Sequence, residues 1–388
     1  MTHAKHSRSY DFQQNRQTFW RSLSVLWRKF ARQKSAKISA LLFALVCVLA
    51  LAAPIIANDK PILVYYPASQ PVNNFLQQTS SQTANRSFSW SFQSNSPASN
   101  SSPWFFPVWR DYPETAFGGV FETSADFSDP ALMAHLAQHG WVVMPPITYA
   151  AGTIAPVQDG VLHPSAPSKA HWLGTDSVGR DVLARVLYGL RTSLGFALLL
   201  TLLGACIGVA FGTLMGYVGG AVDLLGQRFL EIWLGLPQLF ILAMLASVFA
   251  PSWWLLFAVM LAFSWVSLVQ VVRVQMLQLR NIDYALAARN LGVSHTRIAV
   301  RHLLPPVLAV ACAQLPFVMV ANISALAALD FLGFGLPATS ASLGELLAQG
   351  KNHLDSPHLL LVGVAVLGGV LTLLVFIGDG LRELIDER

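Results

Sequence analysis

The sequence predicts an all-α, polytopic membrane protein with six transmembrane helices, on the strength of three observations. Of 388 residues, 54% are apolar and only 12% charged, about half the charged fraction of a soluble domain. The apolar residues gather into charge-free runs, and about 20 such residues cross a bilayer as a helix. The net charge of +5 is uneven: residues 1–37 hold nine Lys/Arg against the single acid Asp11. This composition excludes a disordered chain, a coiled coil and an ordinary cytosolic enzyme. Cys47, Cys206 and Cys312 lie in apolar runs, where cysteine acts as a small hydrophobe.

A charge at mid-bilayer costs about 2.5–3.5 kcal/mol on insertion scales, so runs free of charge mark the spans. The first is Ile38–Asn58 and the second Thr192–Val222. Ile232–Val272 is twice the length needed and reads as two helices, turning at Pro251-Ser252-Trp253-Trp254. Leu303–Leu329 and Leu359–Gly378 complete the six. Gly219–Glu231 reads as a loop. Ala50-Leu51-Ala52 has the form of a signal-peptide cleavage site, but the basic lead is too long for a typical signal peptide.

Orientation follows from the loops. Arg273–His302 carries five arginines against Asp283 and is expected in the cytoplasm, whereas Asp330–His358 has only Lys351 and is expected outside. Both termini are then cytoplasmic, and the basic arm 1–37 flanks the bilayer rather than binding nucleic acid. Residues 59–191 fall on the outer side. Within them, 70–103 is rich in Ser, Asn, Gln and Pro and reads as flexible. Trp104–Pro167 reads as a small irregular cap packed on aromatics. Asp176 is expected to cap an interfacial helix over 177–190, apolar on one face, with Asp181 and Arg185 paired opposite. Residues 192–380 form the core and 381–388 a cytoplasmic tail.

The segment Asn281–Pro305 is the most informative. Asp283 is placed to cap a short helix that Gly292 stops, Ser294 to cap a second, and Pro305 to open the fifth span. Ala287 and Ala288 allow another surface to approach the backbone. A bent, rigid knob suits transmission of force from a cytoplasmic partner; a plain basic connector is the alternative.

Ala287-Ala288, three residues, Gly292, then Leu304-Pro305 with the proline 13 positions after the glycine resembles the coupling motif of bacterial ABC importer permeases. Gly174-Thr175-Asp176, with Gly179-Arg180-Asp181 continuing to Arg185, is similar to the dipeptide and oligopeptide branch. Ile56–Pro61, Asp111–Thr115, Asp330–Pro337 and Ser342–Leu347 resemble the E-type subunits of the Yej peptide/microcin C permeases, and the likeness runs from about residue 18 to the C-terminus. The resemblance implies a type I importer half at the inner membrane, with a five-helix core in 192–380. It implies a second permease, ATPase subunits that hold ATP and Mg²⁺, and a periplasmic peptide-binding protein. It assigns ATPase coupling to Tyr284, Leu286, Ala287, Ala288, Arg289, Gly292, Arg301, Leu304 and Pro305. One departure is Leu286, where the wider family has Glu; docking at that point would rest on shape and on neighbouring arginines.

No nucleotide-binding loop is present: Gly344–Asn352 has a gap of five residues where four are required, and Asn352 stands where Ser or Thr is required. Catalytic residues, a metal site and a cofactor bound by this chain are not expected. The spans hold almost no ionisable group, against an ion-coupled carrier. Gln238, Gln270, Gln314 and Asn322 are polar residues within spans; they line a path or tie helices together. The tip Phe331–Pro337 is an outer gate or a simple turn. A metal chelate as cargo, and a non-transporting membrane scaffold, are the rival readings.

Overall fold

The computed structural model describes residues 33–67, 104–117, 122–155, 163–249, 252–337 and 339–386. Most of the expected basic arm, the stretch 70–103, Pro251 and the last two residues lie outside them. Leu51–Tyr188 form one unit and the rest of the described chain another.

In the larger unit, α1 (Lys34–Leu51) turns a small-residue face inward. Ala36 and Ala40 pack on Leu381 and Leu384 near the C-terminus, while Leu41, Leu45 and Val48 point outward. The helix ends before Asn58 because Pro54 starts a separate turn, α2 (Ala53–Ile56). Among the described residues five helices are long and apolar enough to cross a membrane, and a bent pair brings the number to six if it counts as one span.

The second crossing, α4 (Val182–Val218), is one helix of 37 residues, about 55 Å at 1.5 Å per residue. The interfacial helix expected over 177–190 is therefore not separate: no glycine or proline stands between Leu190 and Thr192 to break the winding, so Val182–Leu190 are the first turns of the crossing. Nor is that stretch one-faced. Val182, Ala184, Arg185, Val186 and Leu187 are all buried.

The expected loop Gly219–Glu231 is helical. It belongs to α5 (Gly220–Leu234), which meets α6 (Gln238–Val248) at a 61° bend across Gly235-Leu236-Pro237. Its charge is met within the unit, since Arg273 Nη2 donates to Asp223 Oδ2 at 2.7 Å. Of the turn expected at Pro251–Trp254, Pro251 lies outside the described residues, and Ser252 caps the next helix, its Oγ accepting the Leu255 N–H at 3.2 Å. Then α7 (Trp253–Ser264) and α8 (Val266–Leu279) form one crossing.

Glycines fix how α4 meets α8. A Cβ at Gly204, Gly208, Gly212 or Gly216 would lie 2.7–2.8 Å from Ser264 Oγ or from the carbonyls of Trp265, Val269 and Arg273. Such close approach is how helices gain van der Waals contact in lipid.

Two short helices, α9 (Asp283–Asn290) and α10 (His295–Arg297), lead through a π turn, Ile298–Leu303, into α11 (Leu304–Phe331). Then come α12 (Leu343–Asn352) and α13 (Pro357–Asp386), both packed on α11. Phe196 and Leu200 of α4 share a core with Phe257 and Met260 of α7 and Leu326 and Leu329 of α11.

The smaller unit carries a sheet that an all-α reading does not include. Its strands β1 (Leu63–Tyr65), β2 (Trp104–Phe105) and β3 (Trp141–Val143) pair antiparallel in the order β2-β1-β3. Two or three residues are too short for a period-two pattern to show. The core is aromatic, with Tyr66, Phe105, Phe117 and Phe127 gathered on Leu132 and Leu136 of α3 (Pro130–His139). Two other aromatics of this stretch, Trp109 and Trp141, are exposed.

Candidate functional site

The knob is built around Ala285. This residue is fully buried between Leu268, Val272 and Met276 of α8 and Ile298, Leu303 and Val307 beyond the bend. Only a methyl fits there, which fixes α9 close to its support. Ile282 occupies the cap position of α9 without a side-chain bond. Asp283, expected as the cap, is instead the first helical residue, where its charge favours the helix N-terminus.

Gly292 ends α9 as expected. Its φ of +75° is left-handed backbone, and two bonds close the end: Gly292 N–H to Arg289 O at 3.0 Å, and Val293 N–H to Ala288 O at 3.1 Å. That pairing is the Schellman arrangement. Ser294 stands at the N-cap of α10, yet its hydroxyl makes no cap bond. Pro305 lies in the first turn of α11, but winding does not pause before it. Pro305 and Pro306 lack N–H groups and crowd the preceding turn, and the wider π turn just ahead relieves both.

Most of the expected coupling residues face outward together. Tyr284 is 45% and Leu286 40% exposed, and Leu291, missed in the sequence reading, is 83% exposed. Ala287, Arg289, Gly292, Arg301 and Pro305 are also exposed, while Ala288 and Leu304 are half-buried. The result is an exposed surface that carries the apolar side chains of Leu286 and Leu291, the Tyr284 ring and the arginines Arg289 and Arg301. Apolar side chains presented on a folded backbone suit docking into a groove.

The run Gly174–Arg185 forms a buried polar node instead of an exposed surface. Asp176 is fully buried; its Oδ1 accepts the N–H groups of Val178 at 3.0 Å and Arg180 at 2.8 Å. Its Oδ2 accepts Arg180 Nε at 2.7 Å, with Arg185 Nε at 3.5 Å. Asp181, not Asp176, caps α4, through Ala184 N–H at 2.8 Å, and its other oxygen meets His171 Nδ1 at 2.9 Å. The expected Asp181–Arg185 pair across an exposed face is thus replaced by Asp181–His171 and Asp176–Arg185.

Thr175 Oγ1 accepts the Ser165 N–H at 2.9 Å and lies 2.9 Å from His163 Nδ1. Gly174 and Gly179 take positive φ, and a Cβ on Gly179 would strike the His163 ring at 2.7 Å. His163, Ser165 and His171 join this node from outside the motif, so no local spacing marks them.

Two of the four polar span residues bond across helices. Asn322 is buried and donates to Thr201 Oγ1 at 2.9 Å, tying α11 to α4. Gln270 faces Gln227 at 3.3 Å. Gln238, at the start of α6, and Gln314 are half-buried. At the tip Phe331–Pro337, Asp330 is buried and its Oδ1 accepts the Leu336 N–H at 2.7 Å, so a carboxylate holds the turn.

Comparison with known proteins follows this geometry. Residues 208–388 match the family described as the binding-protein-dependent transport system inner membrane component, and residues 18–78 match the N-terminal TM domain of oligopeptide transport permease C. The chain is 42% identical to the inner membrane ABC transporter permease protein YejE of Escherichia coli, over 93% of this chain and 96% of that one. It is 37% identical to the peptidoglycan transport system permease protein YejE of Agrobacterium fabrum, over 93% and 92% of the two chains. The dipeptide transport system permease protein DppC of Bacillus subtilis is 34% identical over 57% of this chain and 70% of its own length. Apolar crossings, the glycine-stopped knob and a near end-to-end match to YejE lead to one assignment: the chain belongs to the YejE family of multi-pass, inner-membrane ABC transporter permeases.

Proposed function

We propose that this chain is one half of the membrane pathway of an ATP-driven importer for peptides or peptide-like compounds, those of the microcin C type included. A second permease completes the pathway, and a periplasmic binding protein delivers cargo to the outer side, where residues 59–191 lie. Both termini face the cytoplasm. The chain holds no nucleotide itself; ATP and Mg²⁺ belong to ATPase subunits that grip the knob. ATP binding closes those subunits and displaces the knob, and the pathway switches sides, as coupling between two global states requires.

The observation that carries this reading is the exposed tip of Tyr284, Leu286 and Leu291 on a backbone that Ala285 and Gly292 make rigid. The peptidoglycan named for the Agrobacterium relative favours short peptides from cell-wall material among the cargoes. The test is isolation of the tagged chain in mild detergent, followed by uptake of radiolabelled tripeptide in a deletion strain. Co-isolation of an ATPase and a second permease, with uptake lost on deletion, supports the reading; absence of both proteins contradicts it.

A further inference from the structure

Helix α4 ends at Val218, and the last carbonyls of any helix lack intrahelical partners. Two of them are met by a side chain at the entrance to the knob. Arg280 Nη1 donates to Gly216 O at 3.3 Å and to Tyr217 O at 3.4 Å. A guanidinium there also opposes the negative end of the helix dipole. Arg280 lies between α8 and α9, just where the chain enters the knob. On the other side of the bend, His295 Nδ1, at the start of α10, lies 3.1 Å from the Tyr217 hydroxyl. The last turn of α4 is therefore held by both the entering and the leaving arm of the knob.

The adjoining glycine makes room for this grip. Gly219 has a φ of +67°, and a Cβ there would lie 2.1 Å from Arg280 Nη1. Any other residue would displace the guanidinium and strain the backbone. Above the grip, Gly204, Gly208, Gly212 and Gly216 bring α4 into close contact with the helix that leads into the knob.

We infer that Arg280, seated by Gly219 and seconded by Tyr217, is a positioning clamp that passes knob displacement to α4. This rests on the importer reading above and adds the route by which the knob acts on the pathway. None of the three residues belongs to the exposed docking tip. The clamp acts through helix position and touches neither nucleotide nor cargo.

The test uses the assembled complex, with partner permease, ATPases and binding protein, in lipid nanodiscs. ATP hydrolysis is measured with and without binding protein preincubated with trialanine. For Arg280→Ala, basal hydrolysis is expected to stay within about twofold of the parent while stimulation falls by about fivefold or more, an ordinary coupling factor. Arg280→Lys should restore part of the stimulation, and Gly219→Ala should behave as Arg280→Ala does. A plain structural cap would instead lower basal and stimulated rates together, with no rescue by lysine; that result overturns the clamp. So does an Arg280→Ala complex with the parental ratio of stimulated to basal rate. Should Arg280→Ala fail to assemble, Tyr217→Phe decides: a reduced ratio supports the clamp and an unchanged ratio overturns it. A parent complex that shows no stimulation at all contradicts the importer reading, and the clamp falls with it.

Discussion

The Val293 amide donates to the Ala288 carbonyl at 3.1 Å across Gly292, whose φ is +75°. Together with the Gly292 N–H to Arg289 O bond, this bond turns the chain out of α9 through backbone groups alone. A β-branched residue at 292 would have open space around its Cβ yet pay at least the usual 1–2 kcal/mol, roughly, for left-handed backbone. Gly292→Val should therefore lower uptake of radiolabelled tripeptide by about tenfold or more, since about 1.4 kcal/mol is a factor of ten. The amount of chain in the membrane, read by immunoblot, should not change. Gly292→Asn should keep most uptake, because Asn accepts this conformation.

Ala285 and Ala287 are two positions apart and should fail in different ways. Ala285 is fully buried and Ala287 is exposed. Ala285→Leu overpacks a filled site, at a cost of about 1–3 kcal/mol, and should lower the thermal midpoint of the purified chain. Ala287→Leu should leave that midpoint unchanged and reduce co-isolation of the ATPase. Thermal unfolding and pull-down, measured side by side, check both.

Asp176→Ala leaves Arg180 and Arg185 buried without the carboxylate they share. Breaking a buried pair in this way costs about 3–5 kcal/mol. The loop unit of Asp176→Ala should be cut by trypsin in spheroplasts much faster than the parent, and Asp176→Asn should be intermediate. Parental protease resistance in Asp176→Ala would remove the structural role given to this node.

The His135 imidazole is held below its usual value of 6.5, first by burial and then by neighbouring His139. As pH falls, the unfolded loop unit takes up this proton before the folded one does. Stability from His135 is therefore full above 6.5 and is lost as pH falls through that value toward the lower folded one. Amides of α3 should exchange hydrogen faster at pH about 5 than at about 7.5 once intrinsic rates are removed. His135→Gln should flatten that difference.

Much of this architecture is written locally in the chain. Charge-free runs mark the crossings, Ser252 starts α7 and Gly292 stops α9, because each signal acts over a few residues. What is not legible depends on distant partners. Asp223, Arg228 and Glu231 make Gly219–Glu231 look like a loop, yet Asp223 is matched by Arg273, 50 residues away. Asp181 reads as the partner of Arg185 at helical spacing, but His171 reaches it from a loop. The glycines at 204, 208, 212 and 216 recur every four residues, a visible signal for close helix approach that the reading of spans alone passes over. Leu291 is not legible in the sequence, because an exposed leucine after a helix carries no mark of its own apart from the bend that presents it.

The most direct measurement concerns the tip of the knob. Leu291→Cys, in a chain with Cys47, Cys206 and Cys312 replaced by serine, is treated in intact cells with a short membrane-permeant bifunctional maleimide. A crosslinked band containing an ATPase subunit, protected from an impermeant maleimide added outside, is the result this account predicts. Labelling of Leu291→Cys by the impermeant reagent in cells with permeabilised outer membranes, with no ATPase adduct, would place the knob on the periplasmic side and contradict it.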